Sequence, residues 1–150
     1  MTKATETPAV ETTTVTPATP FDFASRDVAA KAEEGAELEV LDPVTGEAVG
    51  VYIVLAGADS SVHRKATASL SKRRLNGQKG FRNKGWDPEK MEAESIEILA
   101  ACTLSWKGVL VDGAPLPCSR DNAIKMYTRF PWLREQVEQF IGDRSEYLQD

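Results

Sequence analysis

Two hydrophobic periods divide the chain. Between Glu37 and Leu55 apolar residues recur at every second position. Leu38 and Val40 alternate with acids, and Val49, Val51 and Ile53 alternate with Gly50, Tyr52 and Val54. The link Asp42-Pro43-Val44-Thr45-Gly46-Glu47 puts proline where a turn fixes φ and glycine where φ is positive, so a β-hairpin is predicted over 37–55. A lone hairpin is marginal in water, so this one is expected to lean on a helix or pair with strands of another chain.

From residue 58 the period lengthens to that of helices. Gly57-Ala58-Asp59-Ser60 precedes a helix with a thin stripe of Val62, Ala66 and Leu70. Asp87-Pro88-Glu89 supplies an N-cap acceptor, a proline at N1 and an acid in the first turn of the next. There Ile96, Leu99, Thr103 and Trp106 fall at helical spacing. Ile98, Ala100, Ala101, Cys102 and Leu104 widen the apolar face to nearly the whole circumference, as in a helix packed on several sides. Gly108, in a left-handed C′ position, is expected to end it. Asp112-Gly113 and two prolines make 109–117 a sharp, rigid loop. Ser119 caps a third helix carrying Ala123, Ile124 and Tyr127. Pro131 opens a fourth with Leu133, Val137, Phe140 and Ile141 on one face, closed by Gly142, with Tyr147-Leu148 as an apolar end.

These elements predict an α+β fold, mostly α, in which an N-terminal β-hairpin packs on about four helices. One domain is expected over 21–150, with the hairpin at 37–55 and the helical part at 58–148. Ile98, Leu99, Leu104, Trp106, Val137 and Phe140 are the predicted core. Residues 1–20 are mostly threonine, proline and alanine, with no large side chain beyond two valines. Such a leader buries too little to offset its ordering entropy and is expected to be disordered. Phe21 and Phe23 follow it and are free to dock on the domain or on a partner.

Charge changes this picture at one place. Residues 58–86 carry Arg64, Lys65, Lys72, Arg73, Arg74, Lys79, Arg82 and Lys84 against Asp59 alone, a net +7. The remainder therefore carries −12 within the whole chain's −5. With Phe81 and Trp86 nearby, three readings stand side by side: phosphate and base contacts to nucleic acid, a handle for an acidic surface of a partner or of the chain itself, or a solvated face. The chain's net negative charge and the lack of a nucleic-acid-binding motif weigh against the first. Residues 76–85, with three glycines, are expected to form a flexible loop. Reversing Lys72, Arg73 and Arg74 together is expected to weaken partner binding and leave the fold intact.

Candidate chemistry adds little. His63 has no second histidine or cysteine at ligand spacing, so no metal and no cofactor are expected. No phosphate-binding loop, nucleophile elbow or zinc-protease motif occurs, and an enzyme is not expected. Cys102 and Cys118 read as free thiols. No apolar run reaches membrane-spanning length, and the first residues have no signal-peptide pattern. Trp106 and Trp132 fall in helical register as core residues, with partner anchoring the alternative. Phe130-Pro131-Trp132, at the junction of the third and fourth helices, is a candidate partner contact together with Arg64, Lys65, Lys72, Arg73 and Arg74.

Several segments, in order, resemble the tail assembly chaperones of long-tailed bacteriophages. They are Leu41 to Glu47 continuing to Ile53, Gly57-Ala58-Asp59-Ser60 leading to Arg73-Arg74-Leu75, and Leu104-Ser105-Trp106-Lys107-Gly108-Val109. Asn122-Ala123-Ile124, Leu133 to Val137 and Asp143 to Leu148 complete the series, which spans 37–148. The Thr/Pro-rich leader stands outside that pattern. The resemblance implies a non-virion helper, present in the host cell cytoplasm, that binds the tape measure protein and helps recruit the major tail tube protein. Self-association is compatible with it, and neither a membrane nor nucleic acid is an expected partner. The alternatives are a structural tail or neck component of the virion, or a nucleic-acid-binding protein acting through 64–84.

Overall fold

The computed structural model describes residues 19–78 and 87–149. The expected disordered leader over 1–20 lies outside them except for its last two residues, as does most of the expected loop at 76–85. The exception in the loop is 76–78, which continue a helix.

The fold is α+β and mostly helical, with a small antiparallel sheet. A 3₁₀ turn at Phe23–Arg26 leads to a short helix, α1 (Ala29–Glu34), which the sequence pattern did not predict. The hairpin follows as β1 (Ala36–Leu41) and β2 (Ala48–Leu55), paired antiparallel with a bulge between Glu39 and Leu41. Its turn is held by the Asp42 carboxylate, which accepts from the backbone N–H groups of Val44 and Thr45 at 2.7 and 3.2 Å. Helix α2 (Ser61–Gln78) and helix α3 (Pro88–Cys102) come next.

Here the structure departs from the pattern. The central helix stops at Cys102 rather than running to Gly108, and Thr103–Lys107 form a third strand, β3, antiparallel to β2 in the order β1-β2-β3. The physical reason lies in β2, whose second edge would otherwise present unpaired backbone groups to the core side of the molecule. Thr103 makes the switch, its backbone extended and its hydroxyl bonded to the Leu99 carbonyl at 2.9 Å and to the Tyr127 hydroxyl at 2.6 Å. Gly108 does adopt positive φ, but it turns the chain after a strand. A Cβ there would stand 2.4 Å from the Gly50 carbonyl oxygen. The hairpin thus leans on helices and pairs with a strand of its own chain.

Beyond β3 a two-residue turn with Asp112 and Gly113 both at positive φ joins β4 (Leu110–Val111) to β5 (Ala114–Pro115). Helices α4 (Arg120–Arg129) and α5 (Pro131–Gly142) complete the fold, the first capped by the Ser119 hydroxyl, which accepts from Asn122 N–H at 3.1 Å. A final 3₁₀ turn spans Arg144–Glu146.

One continuous core joins the sheet to α3, α4 and α5. Ile53 and Leu55 from β2, Leu99 and Cys102 from α3, Tyr127 from α4 and Val137 from α5 are all buried in it. Of the predicted core, Leu99, Val137 and Phe140 are buried, while Ile98 and Trp106 are half-buried against it. Leu104 is 43% exposed; it is the residue left without a cross-strand partner where the β2–β3 register shifts between Val54 and Leu55. Trp106 stands opposite Ile53 and donates its indole N–H to the Leu116 carbonyl at 2.8 Å, a polar partner that a half-buried tryptophan requires.

Candidate functional site: the groove between α2 and α3

Helix α2 is eighteen residues long, yet among its described side chains only Leu70 is buried. A helix this poorly packed is held by its ends and by ion pairs more than by a core. At its start the buried Ser60 hydroxyl accepts from His63 N–H at 3.2 Å. The Glu33 carboxylate, reaching over from α1, accepts from the N–H and hydroxyl of Ser61. Those two bonds hold the Glu33 carboxyl below the usual glutamate range. Further along, α2 runs antiparallel to α3, with Arg73 paired to Glu97 and Arg74 to Glu94.

This arrangement leaves a groove. Its floor is apolar: Val62, Ala66 and Leu70 from α2, with Ile98 and Ala101 from α3. Lys65 stands at one rim, and Lys72, Arg73 and Arg120 gather at the adjoining end with Ser69, Asn76 and Glu97. The two parts have volumes of about 240 and 400 Å³ and are open to solvent. Small-molecule sites bury most of their ligand's surface. A furrow this open to solvent instead suits side chains presented by another polypeptide. Among the described lining residues four cations, Lys65, Lys72, Arg73 and Arg120, stand with one carboxylate, Glu97, which Arg73 already engages.

The sequence-predicted contact residues divide. Lys65, Lys72 and Arg73 line the groove. Arg64 is exposed and lies outside the lining, near the Glu33 and Asp59 carboxylates. Arg74 belongs to the fold: its guanidinium grips Glu94, a residue only 9% exposed, and its bond is the main reason that carboxyl is held below its ordinary range. The ion pairs of Arg73 and Arg74 run against the expectation that reversing Lys72, Arg73 and Arg74 together leaves the fold intact. Reversing all three would set new carboxylates against Glu94 and Glu97 and disturb the α2–α3 packing, so only Lys72 of the three is a clean probe.

Phe130 and Trp132 do not join this groove. Their rings lie 6.3 Å apart at 58°, both half-buried against the core, with the Arg129 guanidinium 5.2 Å from the Phe130 centroid. Lys79, Arg82 and Lys84, with Phe81 and Trp86, lie outside the described residues. What the sequence reading missed is the far wall. Ile98 and Ala101 sit three apart on α3, and Arg120 directly follows a cap serine, a spacing that shows a helix start but not what it faces.

Among the described residues, no group of three or more histidine, cysteine or acidic side chains is placed to hold a metal ion. Both cysteines are free, Cys102 buried and Cys118 exposed. Burial pushes the Cys102 thiol up to about 11, which makes it a poor nucleophile. No described helix is long and apolar enough to cross a membrane. Comparison of the chain with protein-family models, with curated proteins and with solved structures finds no match.

Proposed function

We propose that this chain is a protein-binding assembly factor, of the kind that chaperones phage tail construction. It binds the tape measure protein in the host cytoplasm and helps recruit tail tube subunits. The observation that carries the binding half of this reading is the α2–α3 groove, an apolar furrow with a cationic rim on a helix that its own chain leaves largely unpacked. Long helical partners expose apolar stripes before assembly, and a groove of this kind accepts such a stripe while the surrounding charge steers the encounter. The tail-assembly half rests on the ordered run of similar segments between Leu41 and Leu148.

The test is co-expression of the tagged chain with tape measure and tube proteins, followed by pull-down. Copurification of the tape measure protein, together with absence of the chain from purified particles, is the expected pair of results. Presence in the particle would assign the chain to the virion structure instead.

A further inference from the structure

We infer that the α2–α3 groove is built for one chemical class of occupant: an amphipathic helix whose apolar stripe is flanked by acidic side chains. The inference rests on reading the chain as a protein-binding module, and it does not depend on which protein supplies the helix.

Three observations converge on it. The groove runs between two antiparallel helices, so a third helix lying along it would complete a three-helix layer and cover the exposed flank of α2. Its floor sets the small Ala66 and Ala101 among Val62, Leu70 and Ile98, and the two alanines are where the occupant's leucine-sized knobs would seat. Its rim is lopsided in charge. Among the described residues no carboxylate lies within salt-bridge distance of Lys65, Lys72 or Arg120, although Lys65 is near enough to Glu33 to lower its carboxyl, and Arg73 is held by Glu97. An incoming carboxylate therefore meets cations on both sides of the furrow, while an incoming lysine meets them as a repulsive fence. Glu97 engages Arg73, so it competes with the occupant's acids for that guanidinium.

The experiment uses the full chain and a fluorescein-labelled synthetic helix as long as α2, with leucines at i, i+3, i+4 and i+7 and glutamates on the flanks. A second peptide carries lysine in place of every glutamate. Anisotropy titrations at low salt are expected to show binding of the glutamate peptide only. Arg120→Glu should weaken it about tenfold, and Glu97→Gln should strengthen it. Ala66→Phe should abolish it by filling the floor, with circular dichroism confirming a helical fold. Arg64→Glu makes the same change of charge outside the groove and, compared with Arg120→Glu at about 0.15 M salt where the Debye length is about 8 Å, should leave the affinity within about twofold.

Equal losses from Arg64→Glu and Arg120→Glu, or binding of the lysine peptide, would overturn the inference. So would a dimer in sedimentation that Ala66→Phe disperses, since the groove would then belong to a second copy, or displacement of the glutamate peptide by an oligonucleotide. Failure here stands apart from failure of the chaperone reading. Tape measure protein captured equally by wild type and by Ala66→Phe removes the groove and keeps the chaperone. Glutamate peptide bound without tape measure capture does the reverse.

Discussion

The Tyr147 ring is 3% exposed, packed edge-on to Phe140 at 5.7 Å, and its hydroxyl is the one buried side-chain polar atom without a hydrogen-bond partner among the described residues. Burial raises its pKa, so the group stays neutral at any ordinary pH. An unsatisfied buried hydroxyl costs about 1–3 kcal/mol, so Tyr147→Phe is expected to leave stability unchanged or raise it by about 1 kcal/mol in urea titrations. Gly57 sits against the same ring. A Cβ there would stand 2.9 Å from Ala32 Cβ and 3.2 Å from Tyr147 Cζ, so Gly57→Ala should cost about 1–3 kcal/mol by overpacking, with a lowered urea midpoint as the readout. The sequence marked Tyr147-Leu148 as an apolar chain end. It could not show that Tyr147 closes over Gly57, ninety residues back, because such contacts belong to the assembled fold.

At the scale of elements, helices α4 and α5 were legible because their start signals, the Ser119 cap and Pro131 in the first turn, agree with their apolar spacing. The hairpin was legible because its turn residues and its alternation agree. The stretch Thr103–Lys107 was not, since Leu104 and Trp106 fit an alternating strand while Ile96, Leu99 and Trp106 fit a helical stripe, and a run this short satisfies both. Pairing with β2 decided it. Trp106, half-buried in this strand rather than central to a helix, should cost less on truncation than Phe140, where Phe140→Ala is expected to lose about 3–5 kcal/mol. Helix α2 was legible as a helix, but its groove was not, because the opposite wall comes from α3 and α4. With so little of α2 buried, its amide hydrogens are expected to exchange well before those of α3, and to be protected when the groove is filled. Uniform exchange of the two helices in the free protein would contradict that account.

For the whole molecule, the held carboxylates share one direction. Ion-pair bonds draw Glu94, Asp59 and Asp112 down through Arg74, Arg144 and Arg129, while Ser61 and Ser145 lower Glu33 and Asp143. A carboxyl whose folded-state pKa lies below its unfolded value contributes stability that is present above the unfolded value, roughly 3.9–4.3. That stability is lost as pH falls through the folded one. Stability is therefore expected to hold between pH 7 and about 5, then to decline below about 4. The exposed pairs Arg129–Asp112 and Arg144–Asp59 contribute little each, being screened by water. Glu94 differs, since it is nearly buried and tethers α2 to α3. Glu94→Gln should flatten the acid limb of the stability curve and lower stability at pH 7, because the amide cannot match the charged bond to Arg74. The loss should concentrate in α2, visible as faster amide exchange there with α5 unchanged. Thermal melts of wild type and Glu94→Gln from pH 7 to 3 read the first part. Parallel acid limbs in the two proteins would remove Glu94 from the account and leave acid sensitivity to the surface pairs.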